Sequence, residues 1–383
     1  MKEIGVGIIG TGFMGTAHAL ALVTAARLFD LPARPRLETV VDPDPVRAEA
    51  MARRFGFARH AADWRAVVED PAVDLVSVTT PNHLHRPMAL AAIEAGKAVW
   101  CEKPLAPTTR EALEMTRAAE DAGVPTAVGF NYLRNPLVRF ARELIEAGEI
   151  GEIWTFRGIH AEDYMADPDT PWSWRLDPGA GGGVVADLGS HILAMARFLV
   201  GEIAAVNGDL ATVVTDRPET PASPVRRPIE VDDVARALLR FSSGATGSIE
   251  ASWVAAGRKM RLAFEVTGAK GTVMLDMERL NELRLFRRGA AAGREGFVEI
   301  LAGPEHPDYA AFCPAAGHQI GFNDMKAIEA RYVIEAVAGG RPFSPGFAEA
   351  TAVQAAVDAI RRSATAGGWQ RPADILYEAG GPT

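Results

Sequence analysis

Cysteine is nearly absent: 383 residues hold two, Cys101 and Cys313, with no CxxC pair and no ligand spacing around either. That excludes a disulfide framework and suits a reducing cytoplasm. An excess of positive charge is missing too. Forty Lys and Arg against 49 Asp and Glu leave a net charge of -9, with no basic run, which speaks against a nucleic-acid surface. Long apolar runs are also lacking, and the opening MKEIGVGIIG has no extended apolar core of the signal-peptide kind; it enters a strand pattern directly. The eight histidines are scattered without carboxylates at ligand spacing, so no metal is expected. What remains, 48% hydrophobic and 23% charged, describes a globular, cytosolic protein large enough for two domains.

The first 130 residues alternate in period. IGVGIIG, LETVVD, DLVSVTT, AVWCEK and PTAVGFN are short apolar runs of the kind buried on both faces of a parallel sheet. Helical patterns such as FMGTAHALALVTAARLF, DPVRAEAMARRF and REALEMTRAAEDAG separate them. This predicts a doubly wound α/β domain over 1–130. Over 131–383 the pattern becomes strands joined by Gly-rich turns (GEIWTFRGIHAE, VARALLRF, GSIEASW, MRLAFEVTG, GTVMLDM, NELRLFRR), then two helical segments. An α+β domain with an open, mostly antiparallel sheet backed by helices is expected there. An uncovered face of that sheet would expose apolar residues of VARALLRF and GSIEASW, so a homodimer or homotetramer is expected through it. PETPASPVRRP, 218–228, reads as a long exposed loop.

Four stretches carry chemistry. GTGFMG, Gly10–Gly15, sits where the first strand gives way to the first helix; Gly10, Gly12 and Gly15 permit a tight turn and close approach of a pyrophosphate, which the helix N-terminal amides, with Phe13 and Met14, can hold. Asp42 closes the next strand, where a carboxylate can accept from the adenosine ribose hydroxyls. It lies further from the glycines than the usual ~20 residues because LPARPR is inserted. Asp42 followed by Pro43 favours NAD over NADP, with Arg47 one helical turn on as the counter-indication. TTPNHLH, Thr79–His85, and CEKPL, Cys101–Leu105, end the following strands on the side where doubly wound sheets bind ligands. Lys103 is read equally well as a cleft cation or as a snorkelling surface lysine.

The fourth stretch is GGGVVADLGSH, Gly181–His191. Three glycines cost roughly 0.5–1 kcal/mol each inside a regular element, so they serve the residues that follow. If Asp187 opens a helix, it and His191 lie at i and i+4 on one face. The alternatives are an N-cap aspartate and a core histidine.

These motifs, with FNYLRNP and WSWR, in this order and spacing resemble the Gfo/Idh/MocA family, the group of glucose-fructose oxidoreductase and inositol dehydrogenase, from residue 4 to about residue 365. The resemblance implies an NAD(P)-dependent dehydrogenase acting on a CH–OH group of a sugar, polyol or anhydrosugar. It places Thr80, Pro81, Asn82 and His85 along the nicotinamide ribose and diphosphate, Glu102 beside the nicotinamide, Asn131 near its ring and Arg175 on the cofactor. Catalysis falls to His191 as base, Asp187 as orienting acid and Lys103 as the cation that polarises the reacting oxygen. Glu162 and Tyr164 would line the substrate pocket. Trp172 and Trp174 are expected to pack as core, and His318 is as readily solvent-exposed as near the pocket. An NAD-dependent glycoside hydrolase and a non-catalytic regulator are the family's other classes; a regulator would be expected to lose Lys103 or His191, and both are present.

Overall fold

The computed structural model describes residues 2–291, 293–315, 317–339 and 342–380. The chain forms two compact units, one running to Arg134 and including Ile320–Thr351, the other made of Asn135–Gln319 and the chain from Ala352.

The first unit is a six-stranded parallel sheet of β1 (Lys2–Ile9), β2 (Ala33–Val41), β3 (Arg59–Ala61), β4 (Leu75–Val78), β5 (Ala98–Cys101) and β6 (Thr126–Val128), in the order 3-2-1-4-5-6. That is the order of a dinucleotide-binding fold, with its reversal between β1 and β4. β3 escapes a reading of apolar runs because it is three residues, RHA, at the sheet edge. The helices are α1 (Phe13–Leu28), α2 (Pro45–Phe55), α3 (Arg65–Val68), α4 (His85–Glu94) and α5 (Thr109–Ala122). Their ends follow local chemistry: Asp44 caps α2 ahead of Pro45, Thr108 caps α5, and Gly56 and Gly123 close these helices in the left-handed conformation.

The expected division at residue 130 differs from these units in one large segment. α8 (Phe322–Val337) packs on α1 and places Ala330, Val333 and Ile334 in the core with Ile4, Leu22 and Trp100. Burying Val333 and Ile334 contributes about 1.5–3 kcal/mol each, which draws this distant segment into the first unit.

The second unit is built on an eight-stranded sheet. Its members are β7 (Ile153–Ala161), β8 (Ile203–Ala211), β11 (Val234–Phe241), β12 (Thr246–Ser252), β13 (Arg261–Gly268), β14 (Gly271–Asp276), β15 (Glu282–Arg287) and β16 (Val298–Leu301). Every pairing is antiparallel except that of β7 with β12. α6 (Pro136–Glu146) and α7 (Ser190–Val200) lie on the sheet; α9 (Phe347–Ala366) and α10 (Pro372–Gly380) close the chain. The stretch 178–200 is long and apolar enough to cross a membrane by composition, and 78% of that window is buried in this core.

Two expectations change here. The segment 218–228 is not a plain loop: β9 (Asp216–Pro218) and β10 (Arg226–Pro228) form a small hairpin, tied by Arg226 to Asp216 and Asp169. In β11 the alternation buries Ala235, Ala237, Leu239 and Phe241, while Arg236, Leu238 and Arg240 point outward, with Arg236 paired to Glu250 at 3.1 Å. The outward positions of this strand are therefore mixed rather than wholly apolar: Arg236 and Arg240 are charged, while Val234, half-buried, and Leu238, 53% exposed, are apolar.

Candidate active site

In the first unit the glycine loop is built for close approach. Gly10 sits at φ +102°, and a Cβ on Gly15 would stand 2.0 Å from the Gly10 carbonyl oxygen. Gly12 caps α1 with no side chain bonded to the helix amides and no acid in the first turn. The amide end of α1 is thus left to an anion, as a diphosphate requires. Asp42 is 7% exposed; one carboxylate oxygen accepts from the Thr11 amide at 3.0 Å and from its hydroxyl, the other from the Asp44 amide at 3.1 Å. Burial alone would raise its pKa, but these bonds and Arg47, 3.8 Å away, outweigh it and hold the carboxyl below its ordinary range. An ionised acceptor at the end of β2 fits an adenosine ribose. Arg47 is itself drawn to Asp42, which reduces its availability to a 2'-phosphate.

Residues of the later motifs divide. Pro81 leads a turn of 3₁₀ helix, Asn82–Leu84, in which Asn82 is buried, and the Thr80 hydroxyl lies 3.7 Å from the Met88 sulfur. Asn131 is buried, and its Nδ2 has no hydrogen-bond partner, a donor fit to take a ligand carbonyl. His85 is fully buried, with Nδ1 3.0 Å from the Pro104 carbonyl and Nε2 2.9 Å from that of Thr80. It ties the two motif loops together and offers no ring nitrogen to a ligand. Glu102 likewise turns inward, its carboxylate against His18 and Lys326. Lys103, half-buried, follows it and is joined to Pro104 by a cis peptide bond.

In the second unit the glycines of GGGVVADLGSH have a steric reason. A Cβ on Gly182 would stand 2.3 Å from the Arg175 carbonyl oxygen; one on Gly183, at φ +105°, would stand 2.4 Å from Asp232 Oδ1. The chain then enters a π-helical turn, Val185–Gly189, that continues as α7. π turns occur often at functional sites. Asp187 lies inside the turn, not at a cap: its Oδ2 accepts from the Tyr164 hydroxyl at 2.7 Å and from Arg175 Nε at 3.3 Å. The amide-binding role belongs to Asp232, which accepts from the Val185 amide at 2.7 Å and whose pKa burial pushes up.

His191, 6% exposed, stands on the first turn of α7 with its ring centroid 5.4 Å from that of His160. His160 holds the turn through the Leu188 carbonyl (3.0 Å) and faces Glu162 at 3.1 Å. Tyr164, Arg175, Asp187, Glu162, His160 and His191 therefore form one group. Trp174 lies under the Arg175 guanidinium and Trp172 under that of Arg227; both are half-buried. His318 is exposed. His18, Lys326, Glu329, His160 and Asp232 escaped the sequence reading: they are single residues outside the recognised motifs, though the acid pair in EVDD ahead of β11 is a visible polar break in an apolar pattern.

Residues 4–130 match the oxidoreductase family with an NAD-binding Rossmann fold, and residues 138–274 match the Gfo/Idh/MocA C-terminal domain. The chain is 40% identical to a levoglucosan dehydrogenase of Pseudarthrobacter phenanthrenivorans over 96% of its own length and 98% of the relative's. It is 32% identical to a scyllo-inositol 2-dehydrogenase (NAD(+)) of Bacillus subtilis, over 70% of this chain and 72% of that one. Among solved structures, levoglucosan dehydrogenase in complex with NADH and levoglucosan superposes with a TM-score of 0.93 at 40% identity, covering 97% of this chain and 99% of that one.

Proposed function

The chain belongs to the Gfo/Idh/MocA family of NAD-binding oxidoreductases, and on that premise we propose that it oxidises one secondary hydroxyl of an anhydrosugar of the levoglucosan class. At the coarser level it is an NAD-dependent dehydrogenase acting on CH–OH groups of sugars, polyols or anhydrosugars. The full-length likeness to levoglucosan dehydrogenase carries the substrate class.

Bound NAD supplies the acceptor for the hydride that leaves the carbinol carbon; the remaining work falls to this chain's side chains. Gly10, Gly12 and Gly15 with the amides of Phe13 and Met14 hold the diphosphate, Asp42 the adenosine ribose, and Thr80, Pro81, Asn82 and Asn131 the nicotinamide half. His191 takes the hydroxyl proton, a task suited to an imidazole whose unperturbed pKa, about 6.5, lies near working pH. Asp187, steadied by Tyr164 and Arg175, orients substrate hydroxyls and stabilises the imidazolium. Lys103 polarises the reacting oxygen and offsets developing alkoxide charge. Glu162 lies one residue beyond β7, positioned to bind a further hydroxyl.

A screen of anhydrosugars, inositols and free sugars with NAD tests this: continuous NADH absorbance with levoglucosan and its relatives is expected. Turnover of inositols or free sugars without any on anhydrosugars would overturn the substrate class. Product release without NADH accumulation would indicate the hydrolase reading. The assembly we propose remains a homodimer or homotetramer through the open sheet, on a face where β11 presents both charged and apolar side chains; a monomer by light scattering at micromolar concentration would refute it. The buried, unbridged thiols of Cys101 and Cys313 support a cytoplasmic setting.

A further inference from the structure

Glu102, the residue before Lys103, is the centre of a buried ionic cluster. Its Oε1 accepts from Lys326 Nζ at 2.7 Å and lies 2.8 Å from His18 Nε2, while its Oε2 lies 3.3 Å from the backbone N–H of Lys103. Lys326 also donates to Glu329 Oε2 at 2.6 Å, and His18 Nδ1 lies 2.8 Å from the Ser77 hydroxyl. His18, Lys326 and Glu329 are each 0% exposed. The His18 ring stacks on Trp100 at 3.7 Å, and a Cβ on Gly129 would stand 2.3 Å from Glu102 Oε1. All of these residues lie in the first unit, Lys326 and Glu329 being carried in by α8.

Such a cluster is a poor way to stabilise a fold, because replacing buried ion pairs with well-packed apolar side chains is often neutral or favourable. Its geometry suits another purpose. The bonds from Lys326 and His18 converge on the carboxylate that holds the Lys103 amide, while Glu329 and Ser77 hold those two residues in turn, so the start of the Lys103 side chain is set in part by Lys326, 224 residues from Glu102 in sequence. We propose that Lys326, His18 and Glu329 are positioning residues that act on Lys103 through Glu102. This rests on Lys103 being the polarising cation assigned above.

The charge states agree with the geometry. Burial and the Lys326 charge lower the His18 pKa to about 4, so the neutral ring donates from Nε2 to Glu102 and accepts the Ser77 hydroxyl at Nδ1. Burial opposes ionisation of Glu102, but Lys326 and His18 overcome it and keep the carboxyl far below its ordinary range. Glu329 faces Lys326 on its own helix, Glu102 from the end of β5 and the charge of Arg134. Burial, with the Glu102 charge, pushes it up to about 7 against the pull of Lys326.

Lys326→Met, Glu329→Gln and Lys103→Met would be compared for kcat, KM, kcat against pH, NADH affinity by fluorescence and thermal melting. Lys326→Met should lower kcat by about tenfold to a hundredfold, the scale of a misplaced catalytic group, with NADH affinity within about threefold. Glu329→Gln keeps shape and one acceptor, folds as the parent does, and should change the kcat profile against pH near neutrality, where the His191 ionisation remains. If Lys326→Met does not fold, Glu329→Gln carries the test alone. A Glu329→Gln profile superimposable on the parent's, or a folded Lys326→Met protein with more than half the parental kcat, overturns the proposal. Lys103→Met separates the two levels: if it keeps turnover, the assignment of Lys103 fails; if it is inactive while the cluster variants are normal, only the positioning role fails.

Discussion

Asp232 Oδ2 accepts the backbone N–H of Val185 at 2.7 Å, two residues before Asp187. A buried acid outside the recognised motifs thus secures the turn that presents Asp187 and His191. Asp232→Ala leaves that amide buried and unsatisfied and should cost about 1–3 kcal/mol of stability, measured by urea denaturation. Gly183→Ala should be at least as damaging, since its methyl would meet the same carboxylate at 2.4 Å.

His191→Ala should lower turnover by roughly 10²–10⁴-fold while NAD affinity stays nearly unchanged. Lys103→Ala should do comparable damage, and if both act on one transition state, as proposed, the double variant should lose much less than the product of the two. A core role for His191 alone would instead lower the melting temperature and leave turnover per folded molecule intact. Retention of half the parental turnover on a true substrate would refute the assignment.

Asp42 should make NAD bind at least tenfold more tightly than NADP, a difference of about 1.4 kcal/mol. Calorimetry on the parent and on Asp42→Ala checks this: the variant should lose most of the preference, because the repelling carboxylate is gone and Arg47 is released from it. Equal constants in the parent would rule the prediction out.

His18 makes stability depend on pH. Its pKa falls from 6.5 to about 4 on folding, so the unfolded chain binds the proton first. The stability that His18 contributes is complete above pH 6.5 and is lost as pH falls toward 4. Glu329, whose pKa rises on folding, acts in the opposite sense over much of this window, so the His18 contribution is read as a difference: parental stability minus that of His18→Gln, from urea melts, should rise with pH between these values, and a flat difference would count against a neutral buried ring.

The legible parts of this protein are those that short segments encode. The apolar runs of β1, β2, β4, β5 and β6 and the glycine loop follow from period and turn chemistry within a few residues. β3, the β9–β10 hairpin and the mixed outer side of β11 were less legible, because pairing and facing depend on neighbours elsewhere in the chain. The candidate site divides in the same way. Gly10, Asp42, Lys103, Asp187 and His191 stand in motifs, whereas the inward turns of His85 and Glu102 appear only once their partners are placed.

By itself the sequence determined a dinucleotide-binding unit followed by an open-sheet unit and the residue types available for alcohol oxidation, because hydrophobic period, glycine conformation and side-chain chemistry are local properties. Only the tertiary structure decided that α8 returns to the first unit with Lys326, that Asp232 holds the turn beneath Asp187, and that His85 and Glu102 are spent on protein contacts. A buried polar group must find its partner wherever folding brings one, and sequence separation places almost no limit on where that is.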